Sequence, residues 1–328
     1  MKGGRLRAAL VLALAAACLA ALTIAARPTS LAEVWAALVA PEPGNPVHVV
    51  VREMRLPRLA AGLAAGAALG VAGALMQAVT RNPLAEPGLM GVNAGAGLAV
   101  VLGASLGWSA SPALLAFPGA GAAALAVLLL GGGRAGGLGP ARLALAGMAL
   151  NAFLLSAVTA LVLTSLSALD EFRFWTIGTL ADASARPLLL MAGLIGAGLI
   201  GALLMAPAFD VMALGDEAAR SLGLRLGAVR LGALALISVL AGAAAVVAGP
   251  LIFVGLMAPH LARLLAGPTT RPMFLASGLI GALVLILCDV AGRVVLPPGE
   301  VRAGTMTALI GGLAFILVAR RASLGASS

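Results

Sequence analysis

Few side chains in this chain of 328 residues are placed to do covalent chemistry. Lys2 is the only lysine, and a P-loop needs a lysine on the nucleotide phosphates, so the chain is not itself an ATPase of that kind. His48 and His260 lie far apart with no cysteine or carboxylate at ligand spacing, so no metal site is expected. Cys18 and Cys288 both fall inside apolar runs and set up no disulfide framework. The expectation is a chain with no catalytic residue, no nucleophile motif of the Gly-x-Ser-x-Gly type and no cofactor. Two charged features remain. Asp289 and Arg293 stand one helical turn apart inside an apolar run, where a lone acid would cost about 2.5–3.5 kcal/mol to insert. Compensation by Arg293 explains that acid more simply than a part in ion-driven transport. The second feature is a charged island at the middle of the chain, Asp210 to Arg225.

Within the island, Asp216 and Glu217 open a short helix, where the partial positive charge of a helix start favours acids. Arg220 follows Asp216 at i+4, and Gly223 sits where a helix stops. Leu214, Ala218 and Leu222 share one face at helical spacing, giving a small apolar stripe with charges beside it. Taken alone, this pattern fits either a plain connecting loop or a docking surface for a soluble partner.

The scaffold that must position these groups is a membrane one. Hydrophobic residues make up 62% of the chain and charged ones 10%, against about 25% charge in a soluble domain. At about 20 residues per crossing, an all-α integral membrane protein of about ten transmembrane helices is expected. The spans fall near 8–26, 57–79, 93–107, 112–132, 141–166, 188–206, 229–248, 251–265, 273–293 and 304–320, with a cytoplasmic loop over 207–228. The run 251–265 is short and contains Pro259, which suggests a partial span. Ser30 and Glu33 form a capping box ahead of a short helix ending at Val39. Gly62, Gly66 and Gly70 recur every four residues and leave a stripe against which another helix can pack closely. A basic start (Lys2, Arg5, Arg7) held inside puts both termini in the cytoplasm, so the net charge of +9 reads as topology rather than nucleic-acid binding. Residues 66–76 and 242–252 share seven of eleven positions, and they cross in opposite senses, as in an inverted repeat.

Eight motifs in order then carry a family resemblance over about residues 30–320. They are Arg55-Leu-Pro-Arg58, Gly73-Ala-Leu-Met-Gln77, Asn82-Pro-Leu-Ala-Glu-Pro-Gly-Leu-Met-Gly91, Leu143-Ala-Leu-Ala-Gly147, Phe172-Arg-Phe-Trp-Thr-Ile-Gly178, Leu214 to Gly223, Phe253-Val-Gly-Leu-Met-Ala-Pro-His260 and Asp289-Val-Ala-Gly-Arg293. The chain resembles the permease subunit of ABC importers for iron–siderophore complexes, haem and vitamin B12. The resemblance implies one transmembrane permease domain of ten helices over 1–328, in the bacterial inner membrane, paired with a second permease subunit, identical or not. It also implies two cytoplasmic ATPase subunits and an external substrate-binding protein, with membrane lipid around the spans. By the resemblance Leu214, Gly215, Asp216, Glu217, Arg220, Leu222 and Gly223 form the helix that couples to the ATPase. Arg55, Arg58 and Arg293 match the positions that meet acidic residues of the binding protein. Met76, Gln77, Asn82, Leu84, Met148 and Asn151 match the translocation path and its inner gate. The Phe172–Trp175 stretch resembles ferric-siderophore members, with haem and cobalamin as the alternative cargoes. Three stretches depart from the family pattern: Ile252 replaces a frequent second glycine, Gly311–Phe315 lacks a proline in the last span, and Gly139-Pro-Ala141 lacks the hydroxyl residues some members have at the inner constriction. A secondary carrier working without ATPases is the reading from a different class.

Overall fold

The computed structural model describes residues 2–25, 27–131, 140–267, 269–297 and 299–325; Gly139 of the Gly139-Pro-Ala141 departure lies outside them. In chain order the α-helices are α1 (Lys2–Thr23), α2 (Leu31–Val39), α3 (Pro46–Val49), α4 (Leu56–Thr80), α5 (Val92–Ser105), α6 (Pro112–Gly131), α7 (Pro140–Thr164), α8 (Leu166–Thr176), α9 (Leu188–Met212), α10 (Asp216–Ser221), α11 (Leu226–Ala248), α12 (Val254–Ala266), α13 (Thr270–Val295) and α14 (Ala303–Gly325). Among the described residues, six helices are long and apolar enough to cross a bilayer, and four more apolar helices are shorter, ten in all.

The local signals act as their chemistry requires. Ser30 Oγ accepts from the Glu33 amide at 3.2 Å while Glu33 Oε2 accepts from the Ser30 amide at 2.7 Å, closing the capping box of α2. Helix α9 differs from expectation. The sequence pattern ends that span at 206, before Pro207, yet the helix runs through Pro207 to Met212. Its last turn is tied to α13, since Asp210 Oδ1 accepts from the Thr270 amide at 2.8 Å and from its hydroxyl. The connecting island is correspondingly shorter. Helix α12 is about 20 Å long at 1.5 Å per residue, too short for a hydrocarbon layer of about 30 Å. It follows a break in which Gly249 and Phe253 take φ of 74° and 69°. The first copy of the internal repeat lies within α4, and the second runs off the end of α11 into this break.

Helix α4 is the axis of the bundle, buried along most of its length. Its glycines allow that. A Cβ on Gly66 would run into the backbone of Gly281 and Ala282, one on Gly70 into the Ser277 carbonyl, and one on Gly73 into Gly255. Here α13 and α12 approach α4 backbone to backbone, which a side chain would prevent. Gly62 is looser, because a Cβ there meets only Leu180 Cδ1 at 3.3 Å and Ile286 Cγ1 at 3.4 Å. Gly70→Ala is therefore expected to lose about 1–3 kcal/mol or more through overpacking, while Gly62→Ala stays within about 0.5 kcal/mol. Thermal unfolding in detergent checks the order, and equal losses at the two sites would refute it.

Candidate functional site

Helix α4 spans about 37 Å from Leu56 to Thr80, so its two ends lie on opposite faces of the bundle. The charged island sits at its C-terminal end. Gly215 and Gly223 bracket α10 with φ of 106° and 80°, turns that a side chain would strain. Leu214 and Leu222 stand out at 66% and 65% exposure, and Ala218, Glu217 and Arg220 are exposed beside them. Asp216, expected to face Arg220, turns inward instead. Its Oδ1 accepts from Arg81 Nη2 at 2.6 Å and its Oδ2 from Arg230 Nη2 at 2.8 Å. Burial alone would raise the Asp216 carboxyl, but the Arg230 and Arg81 guanidiniums outweigh it and hold the group below its ordinary range. So the island has an outward apolar patch and an inward electrostatic root.

A cavity of about 580 Å³ is walled by the 86–88 turn, α5, α7, α8, the 250–252 break and the start of α14. Asn151 lines it, together with Glu86, Asn93, Thr176 and Thr305, against mostly apolar walls. Met148 is half-exposed on the same helix as Asn151. Asn82 and Leu84 lie in the turn after α4. Asn82 Oδ1 accepts from the Leu84 amide at 2.9 Å, a turn-stabilising bond, and Leu84 is half-exposed. Met76 and Gln77 are placed elsewhere. Met76 is buried in the α4 core, and Gln77 is buried with its amide shared between Arg263 and the Leu256 carbonyl, so neither reaches the cavity. From residue 68 to 77 every position of α4 is buried, so here both side chains pack against neighbouring helices. Glu86, which spacing did not single out, does line the cavity, and it accepts from the Phe253 amide at 2.6 Å.

The arginines sit at the N-terminal end of α4, and the structure gives them internal work. Helix α1 ends with its last carbonyls unpaired within the helix. Arg55 donates to the carbonyls of Leu22 and Arg27, and Arg293 donates to that of Ala21 at 2.7 Å, so two cations cap a helix C-terminus. Asp289 is 3% exposed and accepts from both Arg293 and Arg58, the latter at 2.8–3.1 Å. Arg58 also reaches the exposed Glu300 at 3.0 Å. Arg55 and Arg293 are thus buried, and Arg58 alone of the three keeps a partly open face, 12% exposed.

One expectation about chemistry is corrected here. Gly103-Ala-Ser105-Leu-Gly107 does have the spacing of a nucleophile elbow. That motif needs a strand-to-helix turn, whereas Ser105 is the last residue of α5 and its hydroxyl donates to the Val101 carbonyl at 2.8 Å. His48 sits in α3, where its Nδ1 accepts from the Glu42 amide, and His260 lies within α12. Among the described residues, no group of three or more His, Cys, Asp or Glu could hold a metal.

Apolar helices wrapped on one axis, a cavity beside that axis and charged ends on opposite faces define a multi-pass membrane protein of the transport class. Residues 12–321 match the FecCD transport family, and the chain belongs to it. Among its relatives is the ferric enterobactin transport system permease protein FepD of Escherichia coli K12, 42% identical over 84% of this chain and 83% of that protein. The iron(3+)-hydroxamate import system permease protein FhuB of Bacillus subtilis 168 is 38% identical over 93% and 80%. The hemin transport system permease protein HmuU of Yersinia pestis is 37% identical over 80% of each chain. A solved inward-facing structure of an ABC transporter assigned to the metal-chelate type shares the fold, with TM-score 0.83 at 24% identity over 97% of this chain and 99% of that one.

Proposed function

We propose that this permease imports an iron(III)–siderophore complex, powered by two ABC ATPase subunits on the cytoplasmic side and supplied by an external binding protein. The observation that carries the reading is the position of α10: an exposed apolar knuckle, charged at its rim, at the far end of α4 from the arginine cluster. A helix of this kind fits a cleft in a soluble partner, with Leu214 and Leu222 as anchors and Glu217 and Arg220 as the rim. Gly215 and Gly223 set its angle, and Asp216 roots it. Both termini are then cytoplasmic, and the arginine cluster faces outward. There Arg58 offers its charge to an acid of the binding protein, while Arg55 and Arg293 hold the frame beneath it; such pairs set register and encounter rate more than affinity. Asn151 and Met148 line the path, which Asn82 and Leu84 narrow at its inner end, with Met76 and Gln77 bracing behind. A second permease subunit completes the pathway, and bilayer lipid surrounds it. In this reading ATP hydrolysis belongs to the ATPase subunits, and the permease need not ligate the iron because the chelator already satisfies it. The siderophore assignment draws on the named substrates of the enterobactin and hydroxamate relatives and on Phe172 and Trp175 at the cavity wall.

The test is uptake into proteoliposomes holding the permease, its ATPase and the binding protein loaded with labelled ferric siderophore. ATP-dependent accumulation against a gradient is expected. Equal uptake without the ATPase subunit would mean a secondary carrier. Preferential accumulation of haem or cobalamin would overturn the siderophore assignment alone.

A further inference from the structure

The island and the cavity are joined by an unbroken set of contacts that runs through Arg81, a residue no motif singled out. Arg81 ends α4 in the left-handed region with φ 50°, an uncommon conformation for a residue with a side chain. Its Nη2 donates both to the Met212 carbonyl at the end of α9, at 3.0 Å, and to Asp216 Oδ1. Arg230 of α11 holds the other oxygen of the same carboxylate, so α4, α9, α10 and α11 meet at the Arg81–Asp216 pair.

Two routes lead from there to the cavity. The first is the turn that follows Arg81. Asn82 braces it by accepting from Leu84 with its side chain and from the Ala85 amide at 3.1 Å with its carbonyl, and Ala85 is fully buried. The turn ends at Glu86, whose carboxylate lines the cavity and holds the Phe253 amide. The second route is α11 itself, which runs from Arg230 to Ala248 and on through the Gly249 break to the same Phe253. Helix α10 therefore cannot shift relative to α4 without either breaking the Asp216 clasp or dragging the 82–86 turn with it. Bonded elements with few soft joints are the physical means by which one site biases another.

We propose that Arg81 is the positioning residue through which displacement of α10 reaches the Leu84 turn and the cavity edge. The proposal rests on α10 being the surface that the ATPase engages. Asp216 and Arg81 form the root of that lever, while Leu214 and Leu222 are its handle.

The test compares the whole transporter, reconstituted with ATPase and binding protein, carrying Arg81→Ala, Arg81→Lys, Asp216→Asn or Arg81→Ala with Asp216→Asn. Bound ATPase is quantified, and substrate moved per ATP hydrolysed is measured. Arg81→Ala should keep its ATPase subunits and go on hydrolysing ATP, with transport per ATP falling about fivefold or more. Arg81→Lys should recover part of the ratio, and the double variant should be no worse than the worse single one, since both cut one link. Arg81→Met, which keeps the apolar stem, replaces Arg81→Ala if the latter does not reach the membrane. An unchanged ratio with ATPase still bound, or additive losses in the double variant, would overturn the proposal alone. A parent chain that captures no ATPase subunit would overturn the docking reading and the proposal with it.

Discussion

Replacing Asp289 with alanine is expected to remove most of the folded protein from the membrane. The carboxylate is 3% exposed and neutralises two guanidiniums, Arg58 from α4 and Arg293 from its own helix. Taking away the shared acid leaves the buried Arg293 and the largely covered Arg58 facing each other near a third cation, Arg55, with only the exposed Glu300 still paired to Arg58. Breaking a buried ion pair from one side costs about 3–5 kcal/mol, a large part of the roughly 5–15 kcal/mol that holds a typical protein folded. The damage should spread to α1, whose C-terminal carbonyls rely on Arg55 and Arg293. Asp289→Asn retains acceptors without the charge and should fall between alanine and the parent. Abundance in the membrane and thermal unfolding in detergent measure the effect. A melting curve for Asp289→Ala that overlays the parent's would mean that the arginine cluster contributes nothing to folding.

The second large effect should leave folding alone. Leu214 and Leu222 are about two-thirds exposed, so changing both to glutamate should move permease stability by no more than about 0.5 kcal/mol each. Docked in a partner's cleft, the same side chains would act as anchors, and losing an anchor costs about 2 kcal/mol or more of binding. Introduced carboxylates would add the penalty of burying charge. The double variant is expected to insert normally, lose its ATPase on purification, and abolish ATP-driven uptake. Full retention of the ATPase would remove α10 from the interface.

Short-range features were legible in the sequence because their partners lie within one turn. The Ser30–Glu33 capping box, the Asp289–Arg293 pair and the short helix that opens at Asp216 and stops before Gly223 all appear where spacing places them. The Gly66 and Gly70 stripe was legible for a related reason: missing side chains at helical spacing announce a close approach, although not which helix makes it. Other links were hidden by their reach along the chain. Arg58 lies 231 residues from Asp289, Arg81 lies 135 from Asp216, and Glu86 lies 167 from Phe253. No periodicity encodes such contacts, because they come from helices meeting at α4. The same hub explains Met76 and Gln77. Where α4 is buried all round, from residue 68 to 77, it has no free face, so motif position could not say which neighbours these residues pack against. The span read as ending at 206 continues through Pro207 to Met212, where Asp210 fastens its last turn to α13, a contact 60 residues away that no local pattern shows.

The sidedness of α10 is best measured with a single cysteine. In a background where Cys18 and Cys288 are replaced, Ser221→Cys places a thiol on the exposed end of that helix. A membrane-impermeant maleimide should label it in inside-out vesicles and leave it untouched in right-side-out ones, with protection when the ATPase is bound. Labelling from the external face would put the knuckle on the wrong side of the bilayer for any cytoplasmic motor, and would contradict the account at its root.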